Sequence, residues 1–348
     1  MWLITTRSQV RVLPPLPSES SMTSSPEVIF LFLCYDVVMK GKILITDTLF
    51  IADEHIKRIE AAGYEVERLQ KPDASEDELI AGLQGKVGYI LGGIEKVTTK
   101  VIESADKLQV IAFTGADWQA LITGWEKAKE KDIKISNAPG ANSPAVAEFA
   151  LTMTLAMQRN LFELGRTGDI GFETTNTLQN AAVGVLGSGH IGSKIIKMIS
   201  TFSPAQVRYF ARNKHPEVES DGAEYTDLKT LLTSSDVIIV AAPGSAGTLL
   251  DKAAIDSLKQ NALLVTISPR NHIDFDALLE RLQKGTLRAA IDWPAPSKEY
   301  NKLPLHIFFN TNNHTAYNTK EVIQICSDMG TNSLLNLLEK GEDKFRVL

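Results

Sequence analysis

The sequence predicts an α/β protein with two doubly wound parallel sheets, on three observations: its length, its alternation of patterns and one glycine-rich turn. At 348 residues the chain is too long for one ordinary core and suits two domains of roughly 150 residues each. From Lys42 onward short β-branched apolar runs alternate with helical patterns, the order that builds parallel sheets covered by helices on both faces. The turn Gly187-Ser188-Gly189-His190-Ile191-Gly192 stands between an apolar strand and an amphipathic helix, the setting in which three glycines cradle a phosphate.

Composition bounds the function. With 44% hydrophobic and 22% charged residues the chain is a soluble globular type. A net charge of −6 offers no broad field for nucleic acid, so no nucleic-acid partner is expected and any anion must be held by local geometry. The 2 cysteines, Cys34 and Cys326, lack metal-type spacing, which argues against a disulfide framework or a zinc site and suits a reducing cytosol. Residues 1–38 differ from the rest: a Ser/Pro-rich stretch precedes the run VIFLFLCYDVVM, which is too short to span a bilayer and has no small-residue cleavage site. No membrane partner is expected. Residues 1–38 are read as an extension, disordered or not native, with the folded protein opening at Met39 in the cytoplasm.

The first series contains the strand candidates KILITDTL, YEVERL, VGYILGG, LQVIAF and IKISNAP, separated by helical segments such as DEHIKRIEAAG. After Pro139-Gly140, the run SPAVAEFALTMTLAMQRNLFELG reads as one long buried helix with Ser143 placed to cap it. Met153 and Met157, one turn apart, read as core. The second series is AAVGVLG, QVRYFA, DVIIVAA, ALLVTIS, LRAAIDW and HIFFNTN, six strands and thus a dinucleotide-fold count. The closing segment EVIQICSDMGTNSLLNLLEKG is an amphipathic helix expected to return to the first unit. The expected domains are therefore 39–142 with 320–348, and 143–319.

In the glycine turn each residue has a task. Gly187 permits the tight turn, Gly189 lets the backbone approach a pyrophosphate at the helix N-terminus, and Gly192 lets that helix pack close on the strand. Ser188, His190 and Ile191 complete the predicted cofactor loop. An acid on the next strand would hold the adenosine ribose, but the stretch YFARNK carries Ala211 in that slot. Ala211 cannot repel a 2′-phosphate, while Arg212 presents a planar fork, Asn213 adds donors and Lys214 adds a charge. The stretch predicts NADPH over NADH.

From about Met39 to its end the chain resembles the D-isomer-specific 2-hydroxyacid dehydrogenase family, close to its glyoxylate/hydroxypyruvate reductases and with some formate dehydrogenase-like features. The resemblance rests on Asn137-Ala138-Pro139-Gly140-Ala141-Asn142 with Val146-Ala147-Glu148, and on the glycine turn. It rests further on Ser268-Pro269-Arg270 followed by Ile273-Asp274 and Ala277-Leu278, on Ala290-Ile291-Asp292-Trp293, and on Thr311, His314, Ala316 and Thr319. It implies a Rossmann dinucleotide-binding domain plus a flavodoxin-like substrate domain, a small 2-keto or 2-hydroxy acid as substrate, and a homodimer. By resemblance Arg270 polarises the substrate carbonyl and binds its carboxylate, and His314 is the proton donor. Asp292 would hold the nicotinamide carboxamide, with Ala242, Pro243, Thr248 and Ser268 lining the cofactor. The N–H groups of Gly92 and Gly93 would grip the substrate carboxylate. Asn142 orients substrate or caps a turn, and Trp118 reads as packing.

The pattern breaks where the family's Glu would pair with the His. That position is Ser297, so either Glu299 reaches in from a shifted loop or the acid is missing. The Gly that usually follows the Arg is Asn271, and the Pro before the His is Asn313. The rival readings are a nucleotide-binding sensor or scaffold that has lost turnover, and a formate dehydrogenase-like enzyme, although Asp292–Glu299 holds no Gln. Without an acid partner His314 is expected to titrate near the ordinary histidine value of about 6.5. The donor form is then lost as pH rises, so reduction should fade above about pH 7 in a rate profile. A flat profile between about pH 6 and 9 contradicts the missing partner.

Overall fold

The computed structural model describes residues 5–6, 9–10, 39–46, 51–171, 174–313 and 316–348. Met1–Lys40 form a separate unit in which Thr5–Thr6 pairs antiparallel with Gln9–Val10. The reading of 1–38 as an extension otherwise lies outside the described residues. Everything from Gly41 to Leu348 belongs to the second unit.

That unit holds two sheets. The first consists of β1 (Gly41–Thr46), β2 (Tyr64–Leu69), β3 (Lys86–Leu91), β4 (Val110–Phe113) and β5 (Lys134–Ser136). Their order is β2-β1-β3-β4-β5 and every pairing is parallel, the flavodoxin-like arrangement. All five predicted strands are present. The free edge of β5 is covered by the chain's own end, where Val347 N–H donates to Ile135 O (2.8 Å) and Ser136 bridges Arg346 antiparallel. An open edge would otherwise offer unpaired backbone groups to a neighbour.

The second sheet consists of β6 (Ala182–Leu186), β7 (Gln206–Phe210), β8 (Ala223–Tyr225), β9 (Val237–Val240), β10 (Ala262–Thr266), β11 (Leu287–Ile291) and β12 (Phe308–Asn310). Their order is β8-β7-β6-β9-β10-β11-β12, again all parallel. The sequence reading of six strands missed β8, because three residues centred on Glu224 carry no period. The chain runs outward from β6 through β7 to β8, then returns to β9 on the other side of β6. This reversal opens a crevice at the C-terminal ends of β6 and β9.

The long apolar run is two helices. Helix α1 (Ser143–Gln158) stops at Asn160, whose φ of +51° ends the helical path, and α2 (Leu161–Thr167) follows. Asn tolerates the left-handed region better than most residues. Ser143 does not cap α1: the N-cap is Asn142, without a side-chain cap bond, and Ser143 is the buried first helical residue. Met153 and Met157 are core, packed with Val183 and Val185 of β6. Arg288 of β11 fastens the end of α1, donating to Met157 O (3.1 Å) and Gln158 Oε1 (2.7 Å). Burial pulls its guanidinium pKa downward, while the helix's carbonyl end favours the charge.

The final helix α3 (Lys320–Glu339) is capped by Thr319, which accepts from Val322 N–H. It returns to the first sheet, burying Leu334 and Leu337 with Ile43, Ile45 and Ile90. The approach is close: a Cβ on Gly88 would lie 2.7 Å from Ile43 Cδ1 and 2.9 Å from Leu334 Cδ1. Asp328 of α3 accepts from His55 Nε2 (2.9 Å) and Arg58 Nη1 (3.0 Å). Leu334→Ala should lower unfolding free energy by about 2–5 kcal/mol in denaturant titration. A loss within error would show that α3 is not part of this core.

Candidate active site

The glycine turn leaves β6 at the crevice, and its three glycines differ in surroundings. Gly187 has φ +98°, donates to Phe210 O (2.8 Å), and a Cβ on it would lie 2.6 Å from Ala241 O. On Gly192 a Cβ would collide with Gly187 O, so the helix His190–Ser200 can lie on the turn only with glycine there. On Gly189, the N-cap, a Cβ would meet nothing within 4 Å. Ser188 Oγ is buried and has no partner among the described residues. Open space before Gly189, a waiting hydroxyl and a helix N-terminus fit a dinucleotide pyrophosphate. His190 and Ile191 open that helix, and His190 faces Gly140, where a Cβ would lie 3.4 Å from its ring.

The other predicted cofactor residues stand at neighbouring strand ends. Ala211 follows β7, with its carbonyl accepting from Tyr225 OH (3.2 Å). Arg212 and Asn213 are exposed, and Lys214 lies 5.4 Å from the Tyr225 ring. His215 Nδ1 meets Glu217 at 2.9 Å, so that carboxylate is already engaged. Ala242 and Pro243 follow β9, and Ala242 Cα would lie 3.0 Å from a Cβ on Gly187. Thr248 Oγ1 reaches Asn271 O at 3.4 Å. Ser268 Oγ donates to Val240 O (3.0 Å), so its hydroxyl ties β9 to β10.

Arg270 begins a short turn, Arg270–His272, after β10. It is exposed, with its guanidinium carbon 5.2 Å from the Trp293 ring and 5.7 Å from the Phe275 ring. Stacking on aromatic faces narrows its rotamers without removing its charge. His272, which the sequence reading passed over, is fully buried against two carbonyls of the cofactor loop. Its position two residues after Arg270 was the available signal.

Asp292 directly follows β11 and is buried. Its Oδ1 accepts from Thr311 Oγ1 (2.9 Å) and its Oδ2 from Ala316 N–H (3.1 Å), so one carboxylate ties both flanks of the segment containing His314. His314 itself lies outside the described residues. Glu299 is exposed and accepts from Lys302 Nζ (2.6 Å). Whether Glu299 also meets His314 lies outside the described residues.

In the first sheet the Gly92-Gly93 turn differs from expectation. Gly92 N–H donates to Thr46 O (2.9 Å) and Ile94 N–H to Pro72 O (2.6 Å). Gly92 is therefore spent as a donor, because β1 and β3 continue their pairing through it. Gly93 N–H has no hydrogen bond among the described residues, and a Cβ there would strike Glu95 and Pro72. Beneath this turn Glu95 is buried and accepts from Tyr89 OH (2.7 Å) and from Thr46 Oγ1. Burial first, then the Glu95 charge, pushes the Tyr89 hydroxyl well above its usual range. No hydrogen bond or ion pair among the described residues joins this turn to Arg270.

The glycine geometry makes a separable prediction. Gly189→Ala should leave thermal unfolding within a degree or two and weaken dinucleotide binding at least about ten-fold, whereas Gly192→Ala should lower stability by about 2 kcal/mol or more. Equal effects on melting and binding in both variants would contradict the assignment.

The sequence profile described as D-isomer specific 2-hydroxyacid dehydrogenase, NAD binding domain, matches residues 151–316. A glyoxylate reductase of Thermococcus litoralis is 29% identical over 268 residues, which is 72% of this chain and 79% of that one. A D-3-phosphoglycerate dehydrogenase of Methanocaldococcus jannaschii is 32% identical over 261 residues, 72% of this chain but 48% of that relative, so the chain spans about half its length. A protein of Thermus thermophilus of known crystal structure matches with TM-score 0.79 and 26% identity, over 88% of this chain and 100% of that one. With the strand orders and the glycine turn at the switch point, these likenesses show that the chain belongs to the D-isomer-specific 2-hydroxyacid dehydrogenase family, oxidoreductases with a nicotinamide-dinucleotide-binding domain.

Proposed function

We propose that the protein reduces a small 2-keto acid to the D-2-hydroxy acid with NADPH, with glyoxylate and hydroxypyruvate as leading substrates. The observation that carries this reading is that the glycine turn, the Ala242 loop and the Arg270 turn border one strand-end crevice. When bound, the nicotinamide supplies a hydride to the carbonyl carbon. Gly187 to Gly192 would hold the pyrophosphate, and Ala242, Pro243 and Thr248 would line the rest. Ser268 acts through its place at a strand end, since its hydroxyl is committed.

The chain's own groups have defined tasks. Arg270 stays charged and presents paired donors, so it orients the substrate carboxylate and polarises the carbonyl as negative charge develops on oxygen. Gly93 N–H is the remaining backbone donor of the first-sheet turn for that carboxylate. His314 gives its proton to the carbonyl oxygen, and Asp292 fixes the segment that carries it. A carboxylate has about four acceptor sites, so Asp292 can hold Thr311 and Ala316 and still accept from a nicotinamide carboxamide. By resemblance the enzyme is a cytoplasmic homodimer; the half-exposed Leu161 beside α1 offers apolar surface for a second copy.

Preference for NADPH follows from Ala211, the exposed Arg212 and Asn213 beyond β7. One observation favours a second reading, a catalytically weak sensor: Ser297 stands at the position of the family's acid, and Glu299 is paired with Lys302. Mixing the protein with NADPH or NADH and a panel of 2-keto acids, while following loss of reduced-cofactor absorbance, decides between them. Consumption supports the reductase, and cofactor binding without consumption supports the sensor. Arg212→Ala should raise the NADPH dissociation constant about ten-fold or more, the worth of a charge-assisted bond, and leave NADH within about two-fold. Equal weakening of both would make the stretch a plain turn.

A further inference from the structure

The turn that carries Arg270 also carries a clamp. The His272 ring is fully buried between two backbone carbonyls, with Nδ1 2.5 Å from Gly247 O and Nε2 3.3 Å from Ala242 O. A carbonyl oxygen only accepts, so the shorter contact requires the ring to present N–H to Gly247. From the other side, His272 O accepts from Leu249 N–H (3.1 Å) and Leu250 N–H (2.8 Å). Asn271 stands where the family resemblance expects glycine, and its side chain donates to Gly244 O (2.8 Å). The segment from Ala242 to Leu250 is thus fastened through its carbonyls and amides to two consecutive residues. Its first residue abuts Gly187 of the phosphate turn. The residue before the clamp is Arg270, held on Trp293 and Phe275.

A histidine that merely filled core would need no polar partners, and an apolar residue here would leave the Gly247 and Ala242 carbonyls without this ring. We propose that His272, assisted by Asn271, is a positioning residue that joins the cofactor wall to Arg270 as one rigid piece, so that cofactor and keto acid bind cooperatively. The proposal rests on the reductase reading above. Ordering the wall against a dinucleotide would place Arg270 for the substrate, and ordering Arg270 on a substrate carboxylate would set the wall for the dinucleotide. Such coupling is reciprocal by thermodynamic necessity.

The test is titration calorimetry of the full chain with NADPH, with and without oxamate, an unreactive 2-keto acid analogue. In the native protein oxamate should tighten NADPH binding about ten-fold. In His272→Leu this factor should fall to about two or less while NADPH alone changes by a smaller factor. His272→Asn, which keeps an N–H for Gly247, should recover most of the coupling. Asn271→Gly should lose part of it and serves as the test if His272→Leu does not fold. Coupling unchanged in His272→Leu or in Asn271→Gly overturns the proposal, as does a native protein that binds both ligands independently. A His272→Leu variant that only melts earlier, with its coupling intact, marks the ring as core filler and also overturns it. No oxamate binding by the NADPH-loaded native protein overturns the reductase reading, and this inference with it.

Discussion

The contact on which the site depends is the close approach of a helix to a strand where Gly192 meets Gly187 O. A methyl group cannot enter this space. The helix His190–Ser200 can therefore point its N-terminus along the C-terminal end of β6 only because two side chains are absent. Gly187, at φ +98°, turns the chain sharply enough to meet Ala241 from the adjacent strand. Backbone dipoles and open space then do what a net charge of −6 cannot do globally: they make one place favourable to an anion.

The rest of the site is built outward from that contact by strand order. Because the sheet reverses direction at β6, the ends of β7, β9, β10 and β11 fan around the crevice, bringing Ala211, Ala242, Ser268 and Asp292 to its rim. These positions also serve the scaffold. Ser268 ties β10 to β9, the Ala211 carbonyl receives Tyr225, and Asp292 ties down the flanks of the His314 segment. A substitution at such a position would disturb geometry and ligand together. This is why separating binding from turnover matters more here than loss of activity alone.

Much of this was legible because buried parallel strands are continuous apolar runs and glycine turns have a fixed context. The errors have local causes. β8 has three residues and a charge at its centre. Ser143 was read as a cap, but the backbone at Asn142 is already near-helical, at φ −90° and ψ −3°, which is not the extended geometry a capping side chain needs. Asn160 was a visible candidate for the break, being a residue that tolerates positive φ within an apolar run. The pairing of Glu299, whose role the sequence left open, was readable: Lys302 follows at i+3, and the short 3-10 turn there brings the two together. Gly92 was not, because the use of its N–H depends on how far β1 and β3 stay paired. The His272 clamp was hidden for a similar reason, since its partners lie 25 and 30 residues away in sequence.

The central claim is hydride transfer to one face of a 2-keto acid held by Arg270. The most direct measurement uses NADPH with both nicotinamide C4 hydrogens replaced by deuterium, and with glyoxylate replaced by hydroxypyruvate so that the product is chiral, followed by chiral separation and mass analysis. The account predicts deuterium at C2 of the D-hydroxy acid alone. An L-product, or a D-product whose C2 hydrogen comes from solvent, would contradict it.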